Sequence, residues 1–272
     1  MPFSRYVFTT MSCVAVLATV GYVASAPANA QSDQCSSAFG QVQIADGEAL
    51  RDELEILSWN IQKASNVGWA EDLASISANI DLAFIQEAAI QAQIPQVLPA
   101  SLHQAFAQGY TTDSMETGVM TLSASSPSGE CQLTAWEPWL GTPKATSITE
   151  YPILGREERL LTINLHAVNF TFGVENLQGQ LDALSEVLSN HQGPVILAGD
   201  LNTWSDERNS LVTGFMQYHG LGAVAFVPDL RTTAFGHALD HIYVRGMQAT
   251  YAEVFPVSSS DHNPLRVSLS IL

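Results

Sequence analysis

The sequence predicts one α/β domain that occupies most of its 272 residues. Three observations lead to this prediction: short apolar runs alternate with segments of helical periodicity, no internal repeat interrupts them, and no interior linker divides them. Alternating strands and helices are typical of α/β folds. Hydrophobic residues make up 46% of the chain, which is enough to bury a full core.

Residues 1–30 are predicted to be a secretory signal peptide rather than part of the domain. This segment carries one basic residue, Arg5, no acidic residue, and an apolar stretch over 11–24. The sequence ANA at 28–30 has the small-x-small pattern of a cleavage site. A membrane anchor is the alternative, but the apolar run is short for a bilayer. We expect cleavage after Ala30 and an exported product, periplasmic or secreted, with no stable membrane span.

Residues 31–53 form a polar lead-in without clear periodicity. Because Cys13 leaves with the signal peptide, Cys35 and Cys131 remain, an even number in an oxidising compartment. A disulfide between them is therefore plausible, and two free thiols are the alternative. No CxxC or Cys–His spacing indicates a thiolate metal site.

The charge balance restricts the class of partner. The chain has 27 acidic and 10 basic residues, a formal net charge of −17 at pH 7. Such a surface repels polyanions at long range, which argues against tight non-specific DNA binding through a basic face. A local phosphate site remains compatible with this charge, because a bound cation can invert the field around it.

The first half of the domain begins with two strands joined by a helix. LEILSW (54–59) is a predicted strand that ends at Asn60, and LAFIQE (82–87) is a short buried strand that ends at Glu87. GVMTLS (118–123) is the next predicted strand. Apolar residues at spacings of four, three and four predict the intervening amphipathic helix: Trp69, Leu73, Ile76 and Ile80.

The second half continues this alternation. RLLTINLHAV (159–168) is a strand, and VILAG (195–199) is an unbroken apolar strand followed by a helix from about Ser205. ALDHIYVRG (238–246) and PLRVSLSIL (264–272) complete the set. A long helix between the first two strands is marked by Val174, Leu177, Leu181, Leu184 and Leu188.

Polar side chains interrupt or end these apolar strands. They are Asn60, Glu87, His166, Asp200, Asn202, Asp240, Asp261 and His262. Taken singly, GDLN is more often a turn and a strand histidine more often a packed core residue. Together, oxygen donors suit Mg²⁺, Mn²⁺ or Ca²⁺ rather than Zn²⁺, and two histidines supply an acid and a base. Such a set can hydrolyse a phosphate ester.

Six motifs occur in a fixed order: LSWNIQ, FIQE, INLHAV, LAGDLNTW, LDHIYVRG and SSDHNPL. In this order and at these intervals, the chain resembles the endonuclease/exonuclease/phosphatase superfamily, and most closely its bacterial YafD-like branch. The resemblance covers roughly residues 54–272. It implies a DNase I-like, four-layer α/β sandwich, in which two packed mixed β-sheets are flanked by helices.

The resemblance also implies a metal site and a water-activating site. Asn60 and Glu87 would bind Mg²⁺ or Mn²⁺, with Asp261 at or beside that site. Asp200 would polarise the attacking water. Asn202 would donate a hydrogen bond to the charge that develops on phosphorus, a contact that is strongest in the transition state.

Two histidines receive the proton-transfer roles by the same resemblance. His262 would be the general base, oriented by Asp240, and His166 would protonate the leaving oxygen or stabilise the pentacoordinate oxyanion. Lys144 aligns with a basic position that would contact phosphate. His241 either faces the substrate or packs. A partner for His166 stays open among Asp113, Glu116 and Asn164.

The implied function is an exported, metal-dependent phosphodiesterase or nuclease acting on nucleic acid or a smaller phosphodiester. A phospholipid or small-molecule ester is the competing substrate. A sphingomyelinase-like route would favour an exposed aromatic hairpin, for which Trp136 and Trp139 are the nearest candidates. A non-catalytic binding protein is less favoured, because every implied catalytic residue is present. The sequence names no oligomeric partner.

Overall fold

The computed structural model describes residues 35, 38–40, 49–98, 102–138, 140–171 and 173–272. The predicted signal peptide and most of the lead-in lie outside these residues. Among the described helices, none combines the length and apolarity that a membrane crossing requires.

The described part of the chain forms two six-stranded sheets, one short hairpin and three α-helices. The strands are β1 (Glu53–Asn60), β2 (Leu82–Ala89), β3 (His103–Thr111), β4 (Glu116–Ser123), β5 (Gly129–Glu137), β6 (Thr142–Pro152), β7 (Arg159–His166), β8 (Val195–Asp200), β9 (Gly222–Ala223), β10 (Thr233–Ala234), β11 (His237–Ala238), β12 (Asp240–Arg245), β13 (Met247–Val254) and β14 (Leu265–Ile271). The helices are α1 (Trp69–Ile76), α2 (Glu175–Asn190) and α3 (Asp206–Tyr218).

Both sheets are mixed and share one plan. The first has the order β13-β14-β1-β2-β4-β3, and the second has the order β5-β6-β7-β8-β12-β9. The central pair of strands is parallel in each sheet: β1 with β2 in the first and β7 with β8 in the second. The pairs on either side of it are antiparallel. A parallel pair brings the carboxyl ends of its two strands to the same edge of the sheet, which is where the site forms.

Alternate side chains of β8 point into two different hydrophobic clusters, which shows the order of the layers. On β8, Val195 and Leu197 pack against α2 and α3, whereas Ile196 and Ala198 pack against the first sheet. The sequence VILAG has no alternating polar residues because β8 is buried on both faces. A further cluster packs α1 on the outside of the first sheet through Leu73. The order helix, sheet, sheet, helices confirms the predicted four-layer sandwich.

Every strand predicted from the sequence lies inside a sheet, but the edge strands β3, β5, β9 and β13 and the interior strand β6 were missed. The buried residues of β6 include polar ones, among them Thr146, Ser147 and Thr149, so its sequence lacks an apolar pattern. Edge strands expose one side to water, so their apolar pattern is weak. The helix α1 ends at Ile76 rather than near Ile80.

Cys35 and Cys131 form a disulfide with a Cα–Cα distance of 5.2 Å. The expected pairing is therefore present, and the alternative of two free thiols is wrong for this structure. Cys35 is fully buried and joins the core between the second sheet and its helices. The bond ties the start of the described chain to edge strand β5.

Candidate active site

Strand register places three of the polar residues side by side. His166 ends β7 and faces Asp200, the last residue of the parallel strand β8. Asp240 begins the antiparallel strand β12 and also pairs with Asp200. Gly199 allows this approach, because a Cβ there would lie 2.0 Å from the Leu165 carbonyl oxygen.

The first sheet contributes through Asn60 at the end of β1. Its Nδ2 donates a hydrogen bond to Asp200 Oδ2 at 3.0 Å, which links the two sheets at the site. Asp200 Oδ1 accepts from the backbone N–H of Asn202 at 3.0 Å. Burial raises the pKa of Asp200 to about 6, although the nearby His262 opposes this shift. Asp200 is therefore a carboxylate that titrates near neutrality.

His262 and Asp240 form a hydrogen-bonded pair. Nδ1 of His262 lies 2.7 Å from Asp240 Oδ2, and Nε2 lies 3.8 Å from Asp200 Oδ2. Burial alone would lower the pKa of His262, but the Asp240 carboxylate, with Asp200 and Asp261, raises it to about 10. These carboxylates stabilise the imidazolium, which is the form that a base reaches after accepting a proton.

His166 meets the same carboxylate from the opposite side. Its Nε2 lies 3.6 Å from Asp200 Oδ2 and 3.0 Å from Lys144 Nζ. Burial, followed by the positive charge of Lys144, lowers the pKa of His166 well below its ordinary value. This histidine is therefore neutral at neutral pH, with an ammonium donor at its Nε2.

Lys144 is a partner of His166 that was not among the three candidates considered from the sequence. Asn164 donates to the Ile85 and Met120 carbonyls and accepts from Gln86, so its amide is engaged away from the site. Asp113 is exposed and Glu116 is half-buried on the β3–β4 hairpin. In the part of the chain that the structure describes, the ring of His166 instead contacts Lys144 and Asp200.

Behind Lys144 lies Glu137, a buried carboxylate that the sequence reasoning missed. Its Oε1 is 3.9 Å from Lys144 Nζ and accepts the backbone N–H of Asn169 at 2.7 Å. Its Oε2 accepts from Thr142 Oγ1 at 2.5 Å. An acid within the aromatic segment AWEPWL was the available signal. Glu137 fixes the loop that follows His166.

Arg208 is a second residue that the sequence reasoning missed. Its side chain is buried in α3, donates from Nε to the Asn202 carbonyl at 2.6 Å, and donates from a terminal nitrogen to the Val168 carbonyl. Burial lowers its pKa to about 10, against the opposing charges of Asp200 and Glu137, so it stays cationic at neutral pH. Arg208 therefore joins the loops after β7 and β8.

Two of the expected metal ligands, Asn60 and Glu87, lie on the paired strands β1 and β2, and Asp261 follows Ser260, which donates to the Asn60 carbonyl. Glu87 lies at an irregularity of β2 in a left-handed conformation, and its Oε2 is 2.5 Å from Lys63 Nζ. Asn60 Oδ1 accepts the backbone N–H of Gln62 at 3.1 Å. Asp261 is exposed, and its Oδ1 is 3.5 Å from Ser260 Oγ.

These donors fit a divalent cation by their chemistry. Glu87 and Asp261 are carboxylates, Asn60 is an amide, and Glu87 already faces a cation in Lys63. A different group, Asp200, Asp240 and His262, is also compact enough to hold an ion. Of the two groups we favour the one around Glu87, because Asp240 and His262 already bind each other.

Asn202 and His241 have defined contacts. Asn202 adopts a left-handed conformation with φ of 49°, and its Nδ2 donates to the Ala167 carbonyl at 3.0 Å. The His241 ring packs away from Asp200, with Nε2 2.7 Å from Thr203 Oγ1 and Nδ1 3.2 Å from an Arg231 nitrogen. Burial, then the charge of Arg231, lowers the pKa of His241 to about 4.

The sequence profile of the Endonuclease/Exonuclease/phosphatase family matches residues 57–262. A UPF0294 protein of Yersinia pseudotuberculosis is 40% identical over 217 residues, covering 79% of this chain and 82% of its own. A UPF0294 protein of Vibrio vulnificus is 37% identical over 220 residues, covering 80% and 77%.

Solved structures share the fold at low identity. A Bacteroides thetaiotaomicron mannosyl-6-phosphatase has a TM-score of 0.59 and 18% identity, covering 80% of this chain and 100% of its own. D. rerio TDP2, complexed with a single strand DNA product, has a TM-score of 0.58 and 17% identity, covering 80% and 99%. The chain belongs to the endonuclease/exonuclease/phosphatase family, in the branch represented by the UPF0294 proteins.

Proposed function

We propose that this protein is an exported, divalent-metal-dependent phosphodiesterase. Members of its family hydrolyse phosphoester bonds, and its site contains the groups that such hydrolysis needs. The observation that carries the proposal is the convergence of two histidines on one oxygen. His166 Nε2 and His262 Nε2 lie 3.6 Å and 3.8 Å from Asp200 Oδ2.

The two histidines are placed in opposite electrostatic environments, which supports separate roles. His262 is backed by the carboxylate of Asp240, and the minor neutral fraction that its raised pKa of about 10 leaves at neutral pH would take the proton of the attacking water. Asp200, which titrates near neutrality, lies between the rings and would orient that water. The Asp240 carboxylate then stabilises the charge that His262 acquires.

The opposite side of the site would serve the leaving oxygen and the phosphoryl charge. Lys144 holds a proton 3.0 Å from the neutral His166, so the pair can donate a hydrogen bond to developing negative charge. A second donor is the Asn202 amide, which a substrate would redirect from the Ala167 carbonyl. A divalent cation held by Glu87 and Asn60, with Asp261 beside it, would neutralise phosphoryl charge when bound.

The test is hydrolysis of bis-p-nitrophenyl phosphate and p-nitrophenyl phosphate by the purified chain without its leader. We expect turnover of the diester that needs Mg²⁺ or Mn²⁺ and stops with a chelator. The variant His262→Ala should lose most of this activity. His103→Ala, on exposed edge strand β3, is the matched control and should keep it. No diester turnover with either metal would reject the proposal. Faster hydrolysis of the monoester than of the diester would indicate a phosphatase instead of a phosphodiesterase.

Export is the second part of the proposal. The pattern of residues 1–30 supports it, and so does the disulfide between Cys35 and Cys131, because disulfides persist in oxidising compartments.

A further inference from the structure

We propose that the hairpin formed by β10 and β11 binds the base of a nucleoside phosphodiester, which deepens and rests on the proposed function. The substrate would place its phosphate at Asp200 and its base against Phe235. This assigns a substrate class that the catalytic residues alone do not select.

Phe235 occupies a position that suits a different residue. The two-residue turn between β10 and β11 has φ of 51° at Phe235 and 88° at Gly236. Hairpin turns with two positive φ values favour Asn or Asp followed by Gly. A bulky aromatic residue in this region costs conformational free energy, and such strain concentrates at ligand-binding positions. Phe235 is nevertheless 88% exposed, so core packing does not explain it.

The hairpin is attached to both catalytic loops. Thr203 Oγ1 donates to the Ala238 carbonyl at 2.5 Å, and Thr203 follows Asn202 in the chain. On the other side, Asn263 N–H donates to Thr232 Oγ1 at 3.0 Å, directly after His262. One residue separates the hairpin from Asp240. A group bound to the hairpin is therefore held next to the proposed chemistry.

A second aromatic residue completes the surface. The Trp204 ring centroid lies 6.2 Å from that of Phe235, in an edge-to-face arrangement. Trp204 is itself held by its Nε1 bond to Asn169 Oδ1 at 3.0 Å and by the Arg208 guanidinium, 5.2 Å from the ring. Trp204 is therefore held in place, while most of the Phe235 side chain remains exposed for stacking.

Beside the hairpin lies a polar pocket of about 340 Å³, within the size range of small-molecule sites. Its lining includes Asn209, His237 and the turn residue Gly236, and also Arg231, which is paired with Asp229. The side chains of Asn209 and His237 offer donors and acceptors to the edge of a flat ring. Stacking on an aromatic side chain together with edge hydrogen bonds is the chemistry that recognises an unpaired nucleobase.

Charge favours a small nucleotide over a long polynucleotide or a bilayer. The side chain of Asp206 beside the hairpin is 97% exposed, whereas Asp229 is paired with Arg231. Combined with the net charge of −17, the exposed Asp206 carboxylate repels a polyanion and an anionic membrane surface. A nucleoside phosphodiester with one phosphate encounters the least repulsion.

Three substrates with the same leaving group test this assignment: thymidine 5′-p-nitrophenyl phosphate, ethyl p-nitrophenyl phosphate and p-nitrophenyl phosphorylcholine. We expect the wild type to prefer the thymidine ester by on the order of 10-fold in kcat/KM, mainly through KM. Phe235→Asn, which suits the turn, should remove most of this preference without lowering the thermal unfolding midpoint. Phe235→Tyr, which keeps the ring, should retain it.

Tyr218→Ala is the matched control, because Tyr218 is 83% exposed at the far end of α3 and should not affect preference. A binding readout separates the two proposals: saturation-transfer NMR with thymidine 5′-monophosphate should detect base contact in the wild type and lose it in Phe235→Asn. Hydrolysis of none of the three esters would reject the proposed function. Four results would overturn the nucleobase assignment: equal use of all three esters, preference for the phosphorylcholine ester, a preference for the thymidine ester that Phe235→Asn keeps, or no base contact in the NMR measurement.

Discussion

Lys144 Nζ lies 3.0 Å from Nε2 of His166, so an ammonium group is the direct partner of the histidine proposed to act at the leaving oxygen. His262, by contrast, is paired with the carboxylate of Asp240. This asymmetry distinguishes two chemically similar rings. It leads to a prediction about leaving groups.

We expect His166→Ala and Lys144→Met to lose about 10²–10⁴-fold in kcat on a diester with a poor alkoxide leaving group. On a p-nitrophenyl diester both should lose much less, since that leaving group needs little protonation. His262→Ala should lose equally on both, because water must still be activated. Steady-state kinetics on the two substrates provide the measurement. Equal losses for all three variants would contradict the division of roles.

Metal binding should depend on competition between Lys63 and the cation for Glu87. Glu87→Gln should abolish Mn²⁺ binding, measured by electron paramagnetic resonance of free Mn²⁺. Lys63→Met removes the ammonium that now lies 2.5 Å from Glu87 Oε2, so it should tighten binding several-fold. In the Glu87→Gln background, Lys63→Met should have no effect. Unchanged Mn²⁺ affinity in Glu87→Gln would place the metal elsewhere.

Arg208 should be a large contributor to stability as well as to the site. Arg208→Met leaves the buried carbonyls of Asn202 and Val168 without their donor, so we expect a loss of about 2–4 kcal/mol in unfolding free energy. Urea denaturation measures this loss. Arg156→Met is the control, since the side chains of Arg156 and its ion-pair partner Asp52 are 27% and 50% exposed, so that water can replace the lost contact and the pair should contribute about 0–1 kcal/mol. Similar losses in both variants would show that Arg208 does not brace the loops.

His241 should make stability fall in mild acid. Its pKa is about 4 in the folded chain against 6.5 as its ordinary value, so between these pH values the unfolded chain binds more protons. This stabilising contribution is therefore complete above pH 6.5 and is lost as pH falls toward 4, by about 3 kcal/mol at most. His241→Gln, which cannot titrate, should show a shallower slope of unfolding free energy across this window. An identical slope would refute the assignment.

Export should leave a defined N-terminus and a closed disulfide. Mass spectrometry of the exported protein should find Gln31 as the first residue, because the small-x-small pattern ends at Ala30. Thiol labelling of the denatured, unreduced product should detect no free cysteine, since Cys35 and Cys131 are paired. Retention of Met1 in that product would contradict cleavage.

The sequence by itself determined most of the interior strands. Strands β1, β2, β4, β7, β8, β12 and β14 were predicted from dense apolar runs or, for β14, from strict alternation, whereas the interior strand β6, rich in Thr and Ser, was not. The polar residues at their ends were also predicted, since a carboxylate such as Asp200 contrasts sharply with the apolar run before it. Motif order then indicated the family.

Apart from the pairing of His262 with Asp240, which the resemblance implied, the partners of those residues were decided by the tertiary structure. Nothing local to His166 indicates Lys144, because the two meet through the pairing of β6 with β7. Glu137 and Arg208 act across loops, and Phe235 stands out only once its backbone conformation and exposure are known. Local patterns report burial along one strand or helix, whereas contacts between distant segments depend on sheet register and loop packing, which no single segment encodes.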